Sequence, residues 1–195
     1  ECIRADMTAE RLAKLPPAFA ELGAAGADQV QLAKFPELNM IEHVHTMGNS
    51  PAMCDAGALV LLGDETLGQS MGISPRARLI TSTTASGEPL EVVSGCVTAT
   101  EALLADQGLS PDDIDLFEIH EAFAATVVKT REVLGIDDSR LNVNGGVIAL
   151  GHPMGATGAI MTGTLIDELH RQQLNKGVVA ASGAAGSGSA LLLER

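Results

Sequence analysis

The clearest hydrophobic pattern in the chain lies in "GCVTATEALLADQGL", Gly95 to Leu109. Apolar residues recur there at helical spacing, and Gly108 stands where a left-handed residue would close the helix. "IDLFEIHEAFAATVVKTREVLGI" changes period midway. It predicts a strand over Asp115 to Ile119 running into a helix from about Glu121 to Leu134. A further helix is expected over roughly Gly155 to Gln172. "GVVAASGAAGSGSALLLER" reads as two apolar strands around a Gly/Ser/Ala turn, a hairpin. "ARLITSTTAS" is another strand candidate, and Ser110-Pro111-Asp112-Asp113 a capped turn.

Upstream the pattern is shorter-ranged. "MTAERLAKLPPAFAELGAAG" predicts two short helical pieces broken at Pro16 and Pro17, before a Gly/Ala loop. Asp28 to Asn39 is weakly patterned and expected at the surface. Ile41, His43 and His45 alternate with Glu42 and Val44, which predicts a strand. "CDAGALVLLG" fits either a helix start or a buried strand. Strands and helices alternate, so the class is α/β with a layered sheet.

Composition narrows the function. The 195 residues are 46% hydrophobic and carry a net charge of −13, with no Trp, no Tyr and four Phe. An acidic chain without aromatic platforms or a Lys/Arg cluster is a poor match to nucleic acid. Its apolar runs are too short for a membrane span. Cys2, Cys54 and Cys96 are widely spaced and odd in number. They form neither a disulfide framework nor a metal motif, which points to the reducing cytoplasm and to no bound metal. The chain opens on Glu1 in mid-pattern, as expected of part of a longer polypeptide.

Three small-residue loops stand out: "GNSPAMCDAG", "NGGVIALGHPMGATGA" and "SGAAGSGSA". The second carries His152. It lacks the phosphate-loop lysine, and its glycines do not follow a dinucleotide fingerprint. Taken alone it is a tight turn with a satisfied histidine or a loop presenting a catalytic one. His120 and Glu121 sit at the expected strand-to-helix junction. Glu121 alone could serve the helix dipole. Two histidines converging from separate loops favour a site, because histidine moves protons near neutral pH.

"EIHEAFA", "NVNGGVIALGHPMGATGA" and "GVVAASGAAGSGSALLLER" resemble, in this order, the closing motifs of the thiolases, the acyl-CoA C-acyltransferases. "IRADMTAERLAKLPPAF" and "HTMGNSPAMCDAGALVLL" resemble the segment before them. The resemblance covers nearly the whole chain and is weakest between Gly26 and Glu42. It implies a layered αβαβα fold, of which this chain is about the C-terminal half. Residues 1–37 would end the loop domain and linker, residues 38–72 would complete the N-terminal core domain, and residues 73–195 would form the C-terminal core domain.

The resemblance further implies two-step acyl transfer between CoA thioesters, through a cysteine acyl-enzyme. His152 takes the position of the base that activates the cysteine. His120 takes the position that holds a water in an oxyanion hole; histidine there, where asparagine also occurs, resembles the fatty-acid-degradation branch. The backbone N–H of Ala184 matches a donor of a second oxyanion hole. Arg4, Asn49 and Ser50 fall at or beside CoA-contacting positions, with Pro51 replacing the usual serine. Coenzyme A or acyl-CoA is the expected substrate, and no permanently bound cofactor is expected.

Two departures matter. None of Cys2, Cys54 and Cys96 matches the nucleophile, which belongs to the N-terminal half. The chain is therefore expected to be inert without that half, and the whole unit to be a homodimer or tetramer. Cys96 replaces a proline and reads as packing. The second cysteine of the family, an acid/base, falls on Ser182, whose hydroxyl is a poor proton shuttle at neutral pH. A serine in this turn is also an ordinary turn residue. A non-catalytic or partly active acyl-CoA-binding subunit is accordingly the alternative reading.

Overall fold

The computed structural model describes residues 3–195; Glu1 and Cys2 lie outside the described residues. Four strands form one sheet in the order β1-β4-β3-β2: β1 (Arg78–Ser86), β2 (Leu116–Ile119), β3 (Lys176–Ser182) and β4 (Ser187–Glu194). β3 and β4 are the expected antiparallel hairpin, with Val179 opposite Leu191 and Ser182 opposite Gly188. β1 adds antiparallel to β4, with a register shift between Leu79 and Thr81. β2 lies parallel to β3, Ile119 beside Ala180.

Each face of the sheet receives its own helices. α5 (Gly95–Gln107) lies on one face together with α6 (Ala124–Leu134). Cys96, Val97, Ala99, Leu103 and Leu104 of α5 form a core there with Phe117, Ile119, Val178, Ala180, Ala190 and Leu192. α8 (Thr157–Gln172) covers the other face, where Met161, Leu165 and Leu169 pack on Leu116, Val179 and Leu193. Alternation along the strands thus divides one hairpin between two cores. α5 closes as expected: Gly108 is left-handed at φ 64°, and the Leu109 N–H returns to the Leu104 carbonyl at 2.9 Å. At its other end, a Cβ on Gly95 or on Gly188 would run into the backbone of the facing segment. These two glycines set α5 directly on the start of β4.

Among the described residues, the region before β1 contains four short α-helices, α1 (Ala9–Leu12), α2 (Ala20–Leu22), α3 (Asp28–Lys34) and α4 (Glu65–Met71), with a π-helical turn over Gly23–Ala27 between α2 and α3. α3 lies at the surface, as expected of this stretch, with none of its residues buried. The strand expected over Ile41 to His45 is absent. Its alternation is real, since Ile41, His43 and His45 are half-buried and Glu42 and Val44 exposed, but no neighbouring strand pairs with it. Nor is "CDAGALVLLG" a helix or a buried strand. It runs irregularly, with Leu59 95% and Leu62 70% exposed. α6 begins at Ala124, three residues later than expected, because His120 to Phe123 form a turn first.

The upstream region is anchored by an aromatic trio. The His45 ring lies 4.6 Å from Phe123 and 5.9 Å from Phe19, and the Phe19 and Phe123 rings are 5.7 Å apart. The Ala124 N–H donates to the Asn49 carbonyl at 3.0 Å, so the "GNSP" loop sits on the start of α6.

Candidate active site

Three loops at one end of the sheet build the site. β2 ends at Ile119, and His120 follows with its N–H donating to the Ala180 carbonyl at 2.8 Å. Strand pairing therefore carries one residue past β2 and fixes the His120 backbone. The ring is buried, and neither ring nitrogen has a hydrogen-bond partner among the described residues. Burial, and then the neighbouring His152, push its pKa down to about 4; the Ser182 backbone lies close enough to oppose this weakly without making a well-formed hydrogen bond.

His152 arrives on the glycine loop. Short helix α7 (Val147–Leu150) stops at Gly151, whose φ of 98° favours glycine. A Cβ at Gly151 would also meet the Cys54 sulfur at 2.7 Å. The loop is held by a one-residue bridge: the His152 N–H donates to the Ala52 carbonyl at 2.8 Å, and its carbonyl accepts from the Cys54 N–H at 3.3 Å. The His152 Nδ1 bonds the hydroxyl of Thr157 at 2.8 Å, which leaves Nε2 for chemistry. Burial lowers the pKa of this half-buried ring, so it is neutral and able to take a proton at neutral pH. The two imidazole centroids are 4.5 Å apart.

The other residues expected at the site have these positions. Ser182 closes β3; its hydroxyl accepts from the Cys96 N–H at 2.9 Å, on the first turn of α5. Ala184 is exposed in the β3–β4 turn, where its carbonyl accepts from the Ser187 N–H at 3.2 Å and the Ser187 hydroxyl at 2.9 Å. Both ends of the Asn49 amide are used within its own loop: Oδ1 accepts from the Thr46 N–H and Nδ2 donates to the Val44 carbonyl, each at 2.8 Å. The Ser50 hydroxyl lies 3.5 Å from Asn49 Oδ1. Arg4 is exposed, and its backbone carbonyl accepts from the Met7 N–H at 3.1 Å. Cys96 is fully buried against Thr130, while Cys54 is half-buried beside Gly151. Among the described residues, no group of three or more His, Cys, Asp and Glu side chains could hold a metal.

Two contributors carry no obvious mark in the residue pattern. Thr157 is one small residue in a run of them, five after His152; only its place at the start of α8, one helical turn and a bend from the histidine, hints at contact. Asn142 holds the strand end from both sides, its Oδ1 accepting from the Ile119 N–H at 2.7 Å and its Nδ2 donating to the Ile119 carbonyl at 2.9 Å. It adopts φ 46°, a conformation asparagine tolerates better than most residues.

Two residues before His120, on β2, lies a buried acid. Glu118 is 5% exposed, and burial, with Glu121 and Glu168 nearby, pushes its carboxyl up to about 8. Glu168 differs because Arg171, Gln172 and Asn144 all donate to it, which holds its carboxyl down at about 2.

The structure is thus an α/β sheet with helices on both faces and two neighbouring histidines at one end, His152 on a glycine-rich loop and His120 in the turn after β2. The family is identified by direct comparison. Residues 73–195 match the family model described as "Thiolase, C-terminal domain". The chain belongs to the thiolase family. It is 35% identical over 188 residues to an acetyl-CoA acetyltransferase of Allochromatium vinosum, covering 96% of this chain and 43% of that protein. It is 34% identical over 198 residues to a 3-ketoacyl-CoA thiolase of Klebsiella pneumoniae, covering 100% of this chain and 46% of that one. Among solved structures, the Bacillus anthracis acetyl-CoA acetyltransferase matches with a TM-score of 0.81 at 35% identity, over 98% of this chain and 43% of that one. Human mitochondrial 3-ketoacyl-CoA thiolase matches with a TM-score of 0.78 at 30% identity, over 100% and 44%. The chain thus spans less than half the length of these relatives. Among the described residues, no helix is long and apolar enough to cross a membrane.

Proposed function

We propose that this chain supplies the histidine half of a thiolase active site, and that the complete protein transfers acyl groups between CoA thioesters. The observation that supports this reading most is the pairing of His152 and His120. One ring is neutral with Nε2 free, and the other is buried with both nitrogens unpartnered, 4.5 Å away. An unsatisfied buried polar group costs about 1–3 kcal/mol, so a fold retains one where something is to be bound.

In the proposed reaction His152 Nε2 takes the proton of a cysteine thiol supplied from outside this chain. A thiol of pKa about 8.5 is mostly protonated at neutral pH and needs such a base. The thiolate attacks the acyl thioester carbonyl. The oxyanion that forms is met by a water held on His120 and, at the second site, by the N–H of Ala184; such donors are each worth roughly 2.7–4 kcal/mol in the transition state. The carbon–sulfur bond to the leaving group breaks, the departing CoA thiolate takes up the proton held by His152, and the acyl group remains on the cysteine. A CoA thiol or an acetyl-CoA enolate then accepts it. Arg4, Asn49 and Ser50 are proposed to line the CoA path. Asn49 would act through loop shape, since its amide is already engaged.

The N-terminal half is the proposed partner, with residues 1–37 belonging to the loop domain, 38–72 to the N-terminal core and 73–195 to the C-terminal core. The exposed leucines of residues 54–63 are apolar surface of the kind such a half would cover. The chain alone would be inactive. The whole unit would be a cytoplasmic dimer or tetramer with no resident cofactor.

One observation favours the alternative of a partly active or non-catalytic acyl-CoA-binding subunit. The Ser182 hydroxyl is engaged in holding α5. The test is thiolysis of a 3-ketoacyl-CoA by the full-length protein, alongside His152→Ala. Measurable turnover abolished by the substitution supports the enzyme. Turnover that survives His152→Ala removes the assigned base, and binding of acyl-CoA without turnover supports the alternative.

A further inference from the structure

We infer that Glu121 is a positioning residue that clamps the His120 turn to the His152 loop and so sets how the two imidazoles meet. The inference rests on the reading of His152 as base and His120 as oxyanion-hole residue. The ordinary role for a carboxylate at this point would be to favour the N-terminus of α6. That role does not fit, because α6 begins at Ala124 and Glu121 lies in the turn before it. Its carboxylate is used elsewhere. Oε2 accepts from the Ile148 N–H at 2.9 Å, and Oε1 faces Asn142 Nδ2 at 3.4 Å.

These two contacts join the segments that carry the histidines. Asn142 grips both polar groups of Ile119, the residue before His120. Ile148 belongs to α7, which ends two residues before His152. Glu121 is thus the side chain through which the end of β2 holds the helix that delivers the base. Gly146 completes the clamp. Its φ of −146° suits any residue, but a Cβ there would come within 2.6 Å of Glu121 Oε2. The glycine is needed for close approach to the carboxylate, not for its backbone angle. The remaining anchors of His152, the bridge to Ala52 and Cys54 and the bond to Thr157, hold the loop from other sides and make no link to His120.

The role asks for an acceptor at glutamate length, and charge is secondary. Glutamine keeps an oxygen for the Ile148 N–H, and aspartate keeps the charge but falls one methylene short. The test uses the full-length protein carrying Glu121→Gln, Glu121→Asp and Glu121→Ala. It reads the acylation rate, KM and the histidine ring signals by NMR. A misplacement of ~1 Å costs on the order of a hundredfold in rate. Glu121→Ala and Glu121→Asp should therefore lose about that factor in kcat with KM little changed, and shift the His120 and His152 ring signals. Glu121→Gln should stay within about tenfold of the parent with unshifted rings. Should Glu121→Ala not fold, the Asp and Gln pair makes the same comparison. The inference is overturned if Glu121→Asp matches the parent in kcat and ring signals, or if Glu121→Gln is as damaged as Glu121→Asp. If His152→Ala leaves acylation intact, the functional reading fails on its own, while the ring signals still decide whether Glu121 sets the geometry.

Discussion

Ser182 offers a perturbation whose size follows from one bond. Its hydroxyl accepts from the Cys96 N–H at 2.9 Å, and Cys96 has no exposed surface. Ser94, the residue ahead of α5, gives the helix no side-chain cap. A residue 86 positions away therefore satisfies a donor that the first turn of the helix cannot satisfy itself. Ser182→Ala removes that acceptor. Loss of a helix cap typically costs about 1 kcal/mol, and an orphaned buried N–H about 1–3 kcal/mol. These describe the same loss and are not added, so the expected penalty is about 1–2 kcal/mol. Amide exchange at Cys96 in the full-length protein should then quicken by roughly 5–30-fold. Exchange at Leu169, in the opposite core, serves as the control.

Ser182→Cys separates the structural role from the chemical one. A thiol at a helix N-terminus has its pKa lowered from about 8.5, and it exchanges protons far more readily than a hydroxyl. The variant should therefore raise the carbon–carbon step by at least about tenfold, even while the weaker sulfur acceptor loosens the cap. Unchanged Cys96 exchange in Ser182→Ala would refute the capping argument. Unchanged turnover in Ser182→Cys would refute the claim that the serine limits proton transfer.

Three further outcomes follow from the structure. The pKa of His120 in the folded protein is about 4 against an ordinary 6.5, so the folded state resists its protonation. Stability should be lost as pH falls from about 6.5 to about 4, by on the order of 3 kcal/mol, and urea denaturation should show His120→Asn flattening that limb. Glu118 has the opposite sign: its carboxyl is raised from 4.5 to about 8, so stability is lost as pH rises through that window, and Glu118→Gln should remove the loss. Gly188→Ala places a methyl in the backbone at the start of α5, and thermal melting should show a loss of at least about 1–3 kcal/mol, the usual cost of overpacking; a melting temperature equal to the parent's would refute the close approach.

Legibility in the sequence depended on whether the partner of a pattern lies within the chain. The apolar run of α5 and the apolar β3–β4 hairpin bury their faces against each other, so their pattern and their structure agree. The alternation over Ile41 to His45 also describes which side chains turn inward, yet a strand needs a neighbour's backbone along its length, and among the described residues the stretch receives a single such bond, from the Ala18 N–H to the His45 carbonyl at 2.8 Å. "CDAGALVLLG" has the composition of buried β-structure and is exposed. Apolar periodicity records the need for burial without naming what provides it. The start of α6 departs from its pattern for a different reason. Its apolar period continues back through Phe123, but His120 to Phe123 form a turn whose shape is set through Asn142 and Glu121, by contacts 21 to 27 residues apart that no local pattern contains.

The site follows the same rule at closer range. His152 stood out because a histidine among glycines has few neighbours to explain it, and His120 because it sits where a strand ends. Their meeting is not written in either segment. It is produced by a set of backbone and side-chain bonds: Ala180 to His120, Ala52 and Cys54 to His152, Asn142 to Ile119, and Glu121 to Ile148. Most of these use backbone groups, which any sequence provides. The residues that make them possible are small, Gly146 against a carboxylate and Gly151 against a sulfur. In this chain the glycines therefore matter as much to the arrangement as the histidines do. They bring three loops close enough for a neutral imidazole to lie beside a buried, unpartnered one, and a methyl group at either glycine would drive those loops apart.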